Sequence, residues 1–106
     1  MKTFDLSIPV SHDEIMKLHV GDVLYLNGRF FTARDEVHQR LLNISVDSLP
    51  FTIDSLALYH CGPLMKKTNN EWTVISAGPT TSSRLELFES DLLEKFPSIN
   101  IIIGKG

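Results

Sequence analysis

Residues 72–103, WTVISAGPTTSSRLELFESDLLEKFPSINIII, decide the fold class. Trp72 to Ser76 is rich in strand-forming residues, and the run from Gly78 to Ser83 supplies a tight polar exit from that strand. Leu85, Phe88, Leu92 and Phe96 then fall at helical spacing until Pro97 stops the helix. Ile99 to Ile103 is an apolar run interrupted only by Asn100, as expected of a strand buried on both faces. Strand, helix and buried strand in succession predict an α/β domain with a mixed sheet and flanking helices.

The rest of the chain extends this pattern toward the N-terminus. Leu56 to Tyr59 reads as a strand broken at Cys61, Gly62 and Pro63, and residues 66–70 read as a turn with Asn69 and Asn70 at its tip. The mixed polar stretch 43–50 is expected to be a loop. Residues 22–31, DVLYLNGRFF, place Asn27-Gly28 between apolar segments, which predicts two antiparallel strands joined by a type I′ turn. Thr32 is then placed to cap a helix over 34–42, with Val37, Leu41 and Leu42 facing inward. At the start, Phe4, Leu6 and Ile8 alternate as in a half-buried strand that Pro9 ends. Ser11 and Glu14 have capping-box spacing, predicting a short helix with Ile15, Met16 and Leu18 that Gly21 closes.

With 106 residues, 42% of them apolar and 22% charged, the chain fits one small domain. Ten Lys and Arg against 13 Asp and Glu leave a net charge of −3, which argues against broad attraction to nucleic acid or anionic lipid. The first residues lack the apolar core of a signal peptide, and no stretch approaches the length of a membrane span, so the reading is a cytoplasmic protein. Cys61 is the only cysteine. It excludes an internal disulfide and cannot by itself hold a metal cluster, which needs several thiolates.

Three segments share one design: a strand runs into a turn that combines Gly, Ser or Thr with a cation. They are 32–35 with Arg34, 78–84 with Arg84, and 104–106 with Lys105. In the second, a helix N-terminus would add unpaired N–H groups and partial positive charge suited to a carboxylate or phosphate. The plainer alternative has Thr80, Thr81 and Ser82 capping the helix while Arg84 is solvated. For Arg34 the plainer alternative is a surface pair with Asp35 or Glu36. His38 shares a helical face with Arg34 and is a further candidate, and the glycines around Lys105 permit close backbone approach to a ligand. Around Tyr59, His60 and Cys61, no second cysteine or spaced histidine pair supports a metal or thiol-nucleophile reading, which favours a buried or loop thiol.

Five stretches taken together, VGDVLYLNG at 20–28, TARDEVH at 32–38, YHCGP at 59–63, SAGPTTSSR at 76–84 and IGKG at 103–106, resemble the β subunit or C-terminal domain of class I fumarate hydratases and L-tartrate dehydratase. The resemblance covers residues 1–106 as one domain of that type. It implies a swivelling β/β/α domain and a hydro-lyase that adds or removes water on a small dicarboxylate, fumarate or malate first and tartrate next. It also implies a hetero-oligomer in which an α subunit holds a [4Fe–4S] cluster on three cysteines, with the acid and the cluster ligands on that partner. By motif position, Arg34, Thr81, Arg84 and Lys105 would bind substrate and Thr80 would be the base. The family's domain continues past its Gly-Lys-Gly, so the resemblance further implies a domain truncated at its C-terminus. A non-catalytic anion-binding or interaction module derived from that family is the alternative.

Overall fold

A computed structural model describes residues 1–49, 53 and 56–106, with the side chain of Arg84 outside the description. The proline expected to end the loop at position 50 lies outside the described residues. Among the described residues, three small sheets and three helices make an α/β fold. The expected mixture of strand directions is therefore divided among separate sheets: two are parallel and one is antiparallel.

The central sheet runs in the order β3 (Phe30–Thr32), β4 (Ala57–Tyr59), β7 (Ile102–Ile103), all parallel. β4 lies between two partners, and its Ala57 and Leu58 are buried, as a middle strand of a covered parallel sheet requires. Phe31 and Leu58 join Leu41 of α2 (Asp35–Asn43) and Leu92 of α3 (Glu86–Lys95) in one core, with Phe96 and Ile99 completing it. Full burial of a leucine such as Leu58 or Leu92 stabilises by about 1.5–3 kcal/mol, so this cluster is where the fold is held. Lys95 ties the two helices further, because its ammonium donates to Leu41 O at 2.6 Å and to Ile44 O. Those carbonyls lie at the C-terminal end of α2, where helical partners run out.

The predicted helix with Leu85, Phe88, Leu92 and Phe96 forms as α3, entered through a 3-10 turn at Ser83–Leu85. Its inward stripe is correct: Leu85, Leu92 and Phe96 are buried. The Ser11 capping box also forms, with Glu14 N–H donating to Ser11 Oγ and Ser11 N–H donating to the Glu14 carboxylate. It heads α1 (His12–Ile15), a single turn that leaves Met16 exposed. Gly21 follows at a φ of +97°.

Five expectations need correction. Asn27-Gly28 does not turn a hairpin: β2 (Val23–Asn27) pairs in parallel with β1 (Thr3–Ser7), and β3 belongs to the central sheet. A type I′ turn needs positive φ at both central residues. Only Gly28 has it, at +135°, and its bare α-carbon is pressed against Ile8, whose Cβ would lie 2.8 Å from an added side chain. The type I′ geometry occurs at Asn69 and Asn70, with φ of 50° and 67°, joining β5 (Leu64–Thr68) to β6 (Glu71–Ser76). Residues 66–68 are accordingly strand, and only the two asparagines turn.

Thr32 remains in β3, and Arg34 occupies the cap position of α2 without a side-chain cap bond. The inward residues of α2 are His38 and Leu41, while Val37 is 37% exposed. Finally, the isoleucine run is a short strand at Ile102–Ile103 with Ile102 exposed, although Ile99 is buried in the core. Residues 43–49 contain a 3-10 turn at Val46–Ser48 within the expected loop.

Candidate functional site

The parallel register aligns Thr32, Tyr59 and Ile103 across the central sheet, so the three strands end in one row. Arg34 follows the first, His60 and Cys61 the second, Gly104 and Lys105 the third. This carboxyl edge is where open α/β sheets present their loops to ligands. Backbone bonds carry the order past the strands: Ala33 N–H donates to Tyr59 O at 3.0 Å, and His60 N–H donates to Ile103 O at 2.8 Å.

The turn 78–84 docks on the same edge. Thr80 N–H donates to His60 O at 2.7 Å, and Ser82 N–H donates to Lys105 O at 2.7 Å, while Thr81 bridges to Lys105 in parallel register. The structure thus brings together the Thr80–Ser82 backbone, Lys105 and the turn bearing Arg34. Arg34, Thr81 and Lys105 are exposed, and Thr80 is half-buried. Arg84 contributes its backbone to the 3-10 turn.

Glu36 pairs with Arg40 at 2.7 Å, one helical turn away, so it is not Arg34's counter-ion. The Arg34 side chain passes over Gly62, where an added Cβ would lie 2.7 Å from Arg34 Cδ. No side-chain cap bond forms at Ser82 or Leu85, and Glu86 and Glu89 fill the first turn of α3, complementing its dipole. Ser82 is committed elsewhere: its hydroxyl meets His60 Nδ1 at 2.9 Å and accepts Lys105 N–H at 2.9 Å. Gly104 is required there, because a Cβ would lie 1.9 Å from Ser82 Oγ and 2.9 Å from His60 Nδ1.

Beneath this edge lies a cluster that sequence reasoning assembled only in part. His38 and His60 are buried, and both direct Nε2 at Glu89 Oε1, at 2.6 and 2.9 Å. His38 Nδ1 donates to Arg34 O at 2.6 Å. His60 and Glu89 were the residues missed. The available signal was positional: Glu89 is four residues after Leu85 and three before Leu92, so a carboxylate sits on the buried stripe of α3. Cys61 is buried, as expected of a loop thiol. As the only cysteine, it does not provide the donor set of an iron–sulfur cluster, so this chain's residues do not fit that group. No helix among the described residues is long and apolar enough to cross a membrane.

The described residues therefore form an α/β domain that gathers cations, hydroxyls and backbone N–H groups at the carboxyl edge of a parallel sheet. Comparison with known proteins narrows its class. Residues 1–106 match the family model described as "Fumarase C-terminus". The chain is 44% identical over 95 residues to the "Putative L(+)-tartrate dehydratase subunit beta" of Methanocaldococcus jannaschii, covering 88% of this chain and 48% of that one. It is 36% identical over 101 residues to the "L(+)-tartrate dehydratase subunit beta" of Escherichia coli K12, covering 95% and 49%. Against the "Putative fumarate hydratase class I" of Geobacillus stearothermophilus it is 39% identical over 106 residues, covering 99% and 20%. The chain belongs to the fumarase C-terminus family, and it spans about half the length of the tartrate dehydratase subunits it matches.

Proposed function

We propose that this chain supplies the carboxylate-gripping part of a hydro-lyase that adds or removes water on a small dicarboxylate, working with an α-type partner. The observation that carries the reading is the convergence of Arg34, the 78–84 turn and Lys105 on one sheet edge, in a family whose named relatives include an L(+)-tartrate dehydratase subunit beta and a "Putative fumarate hydratase class I". A dicarboxylate needs two anchored anions. Arg34 and Lys105 stand on opposite sides of the β4 terminus and suit that division, with Arg84 as the third cation.

The chemistry places demands that this edge can meet. Removing a proton from carbon beside a carboxylate gathers negative charge near that group in the transition state. Fixed cations and N–H donors aimed there are most effective when closure against the partner excludes water. Thr80, half-buried and held by its N–H on His60 O, is the proposed base. An alcohol is a poor base at neutral pH, so its proton must leave toward a neighbouring acceptor as the carbon proton arrives. A [4Fe–4S] cluster on the partner belongs to this reading, since Cys61 alone cannot bind one here.

The test is Arg84→Ala in the protein assembled with its partner, assayed anaerobically for fumarate hydration and L-tartrate dehydration. Loss of one charged contact in the transition state predicts a fall in kcat/KM of at least about tenfold with the cluster content unchanged. Near-normal turnover of both substrates by the variant would sink the assignment. Dicarboxylate binding without turnover by the unmodified assembly would favour a non-catalytic anion-binding module.

A further inference from the structure

Glu89 and the two histidines belong to none of the segments assigned to substrate. Their hydrogen bonds can be assigned by donor and acceptor. Arg34 O is a carbonyl and only accepts, so His38 Nδ1 carries a proton. Ser82 Oγ accepts Lys105 N–H, and the described neighbours offer its own proton one acceptor, His60 Nδ1. His60 therefore donates from Nε2 to Glu89 Oε1 at 2.9 Å. The remaining contact, His38 Nε2 to Glu89 Oε1, holds one further proton at 2.6 Å, the short distance of a charge-assisted bond. One carboxylate oxygen thus collects both histidines, while Glu89 Oε2 is buried without a hydrogen-bond partner among the described residues. Leaving a buried carboxylate oxygen unmatched is costly, which marks the bridge itself as what the site retains.

Each histidine leads outward to a different turn. His38 ends on the backbone of Arg34, and His60 reaches the Lys105 amide through Ser82. Gly104 lacks the Cβ that would collide with this second arm.

We infer that Glu89 is a positioning residue: through His38 and through His60 and Ser82 it fixes the Arg34 and Lys105 turns in mutual register. The inference deepens the hydro-lyase reading and rests on it for its kinetic consequence, but the hydrogen-bond chain can be observed without turnover. Glutamine fits the same space and its amide oxygen still has two lone pairs, but it carries no charge to hold the further proton on the His38 bond.

The experiment uses the full protein and its assembly with the partner. Nuclear magnetic resonance with labelled histidine should show ring protons at His38 Nδ1, at His60 Nε2 and on the short His38–Glu89 bond. Glu89→Gln should abolish the last signal and speed hydrogen exchange at the Lys105 amide roughly tenfold, the scale set by losing a hydrogen bond to a charged group. Ser82→Ala, a milder change, should speed the same amide and leave the His38–Glu89 signal in place. In the assembly, Glu89→Gln should raise KM for the dicarboxylate more than it lowers kcat. Unmoved Lys105 exchange in both variants overturns the inference. So does a divalent ion, supplied as Zn2+, that binds the unmodified protein and displaces these ring protons, because the three side chains would then be ligands. If the resonance and exchange changes occur but the unmodified assembly turns over neither dicarboxylate, the hydro-lyase reading fails and the positioning role stands.

Discussion

The turns leaving β3, β4 and β7 cover two buried histidines, His38 and His60, whereas every residue of β5 and β6 is exposed. The first region is held by side-chain chemistry: two histidines, a carboxylate and a serine satisfy one another beneath a sheet that also buries Leu58. The second is held by backbone. A ladder and a two-asparagine turn keep Leu64, Trp72, Val74 and Ile75 in a hairpin although each is at least 54% exposed. Lys67 over the Trp72 ring, at 5.7 Å, adds only about 0.5–1 kcal/mol at such exposure. The difference teaches that apolar content does not locate the core in this chain. Polar side chains lie at its centre and tryptophan lies outside it.

The sharpest way to break the comparison is to remove a core side chain. Leu92→Ala should cost about 2–5 kcal/mol, measured by denaturant unfolding, because Leu92 is fully buried among Leu41, Phe96 and Leu58. A loss below about 1 kcal/mol, the size of an ordinary surface change, would mean that the central sheet does not carry the fold. Asn70→Val should cost about 1–2 kcal/mol by forcing a β-branched residue to positive φ. Its exchange signature should be confined to β5 and β6; loss of protection in α3 would show that the two regions are not separate.

The smallest effect concerns β1 and β2, which bury Leu6 and leave most of their other residues exposed. Asp22 accepts the backbone N–H groups of His19 at 2.8 Å and Lys2 at 3.0 Å, and these bonds hold its carboxyl below the usual aspartate range. A depressed folded-state value means the contribution is present above the unfolded aspartate pKa of about 3.9 and is lost as pH falls through the folded value. Thermal midpoints should therefore fall more steeply with acid in the unmodified protein than in Asp22→Asn. Parallel curves would remove this pair as a support of the β1–β2 edge.

Most of α3 and its entry turn was legible because Leu85, Leu92 and Phe96 repeat at a period that only a helix satisfies. The hairpin error at Asn27-Gly28 has a physical source. A turn signal states that the chain can reverse, and here Gly28 is used for contact with Ile8 instead. Parallel pairing of β3, β4 and β7 joins residues far apart in sequence, so no local pattern announces it. The candidate site followed the same division. Arg34, Thr80, Thr81 and Lys105 stood out because they sit in turns with unusual composition. Glu89 and His60 did not, since a polar residue on a buried stripe looks like an interruption until its partner is known.

Gly62 gives the Arg34 side chain a floor without a wall. Any larger residue at that position would push the δ-carbon upward and swing the guanidinium along an arc, while the arginine itself stayed unchanged. The reach of this cation is therefore written into a neighbouring loop, and a substitution at position 62 shifts it with every charged group unchanged.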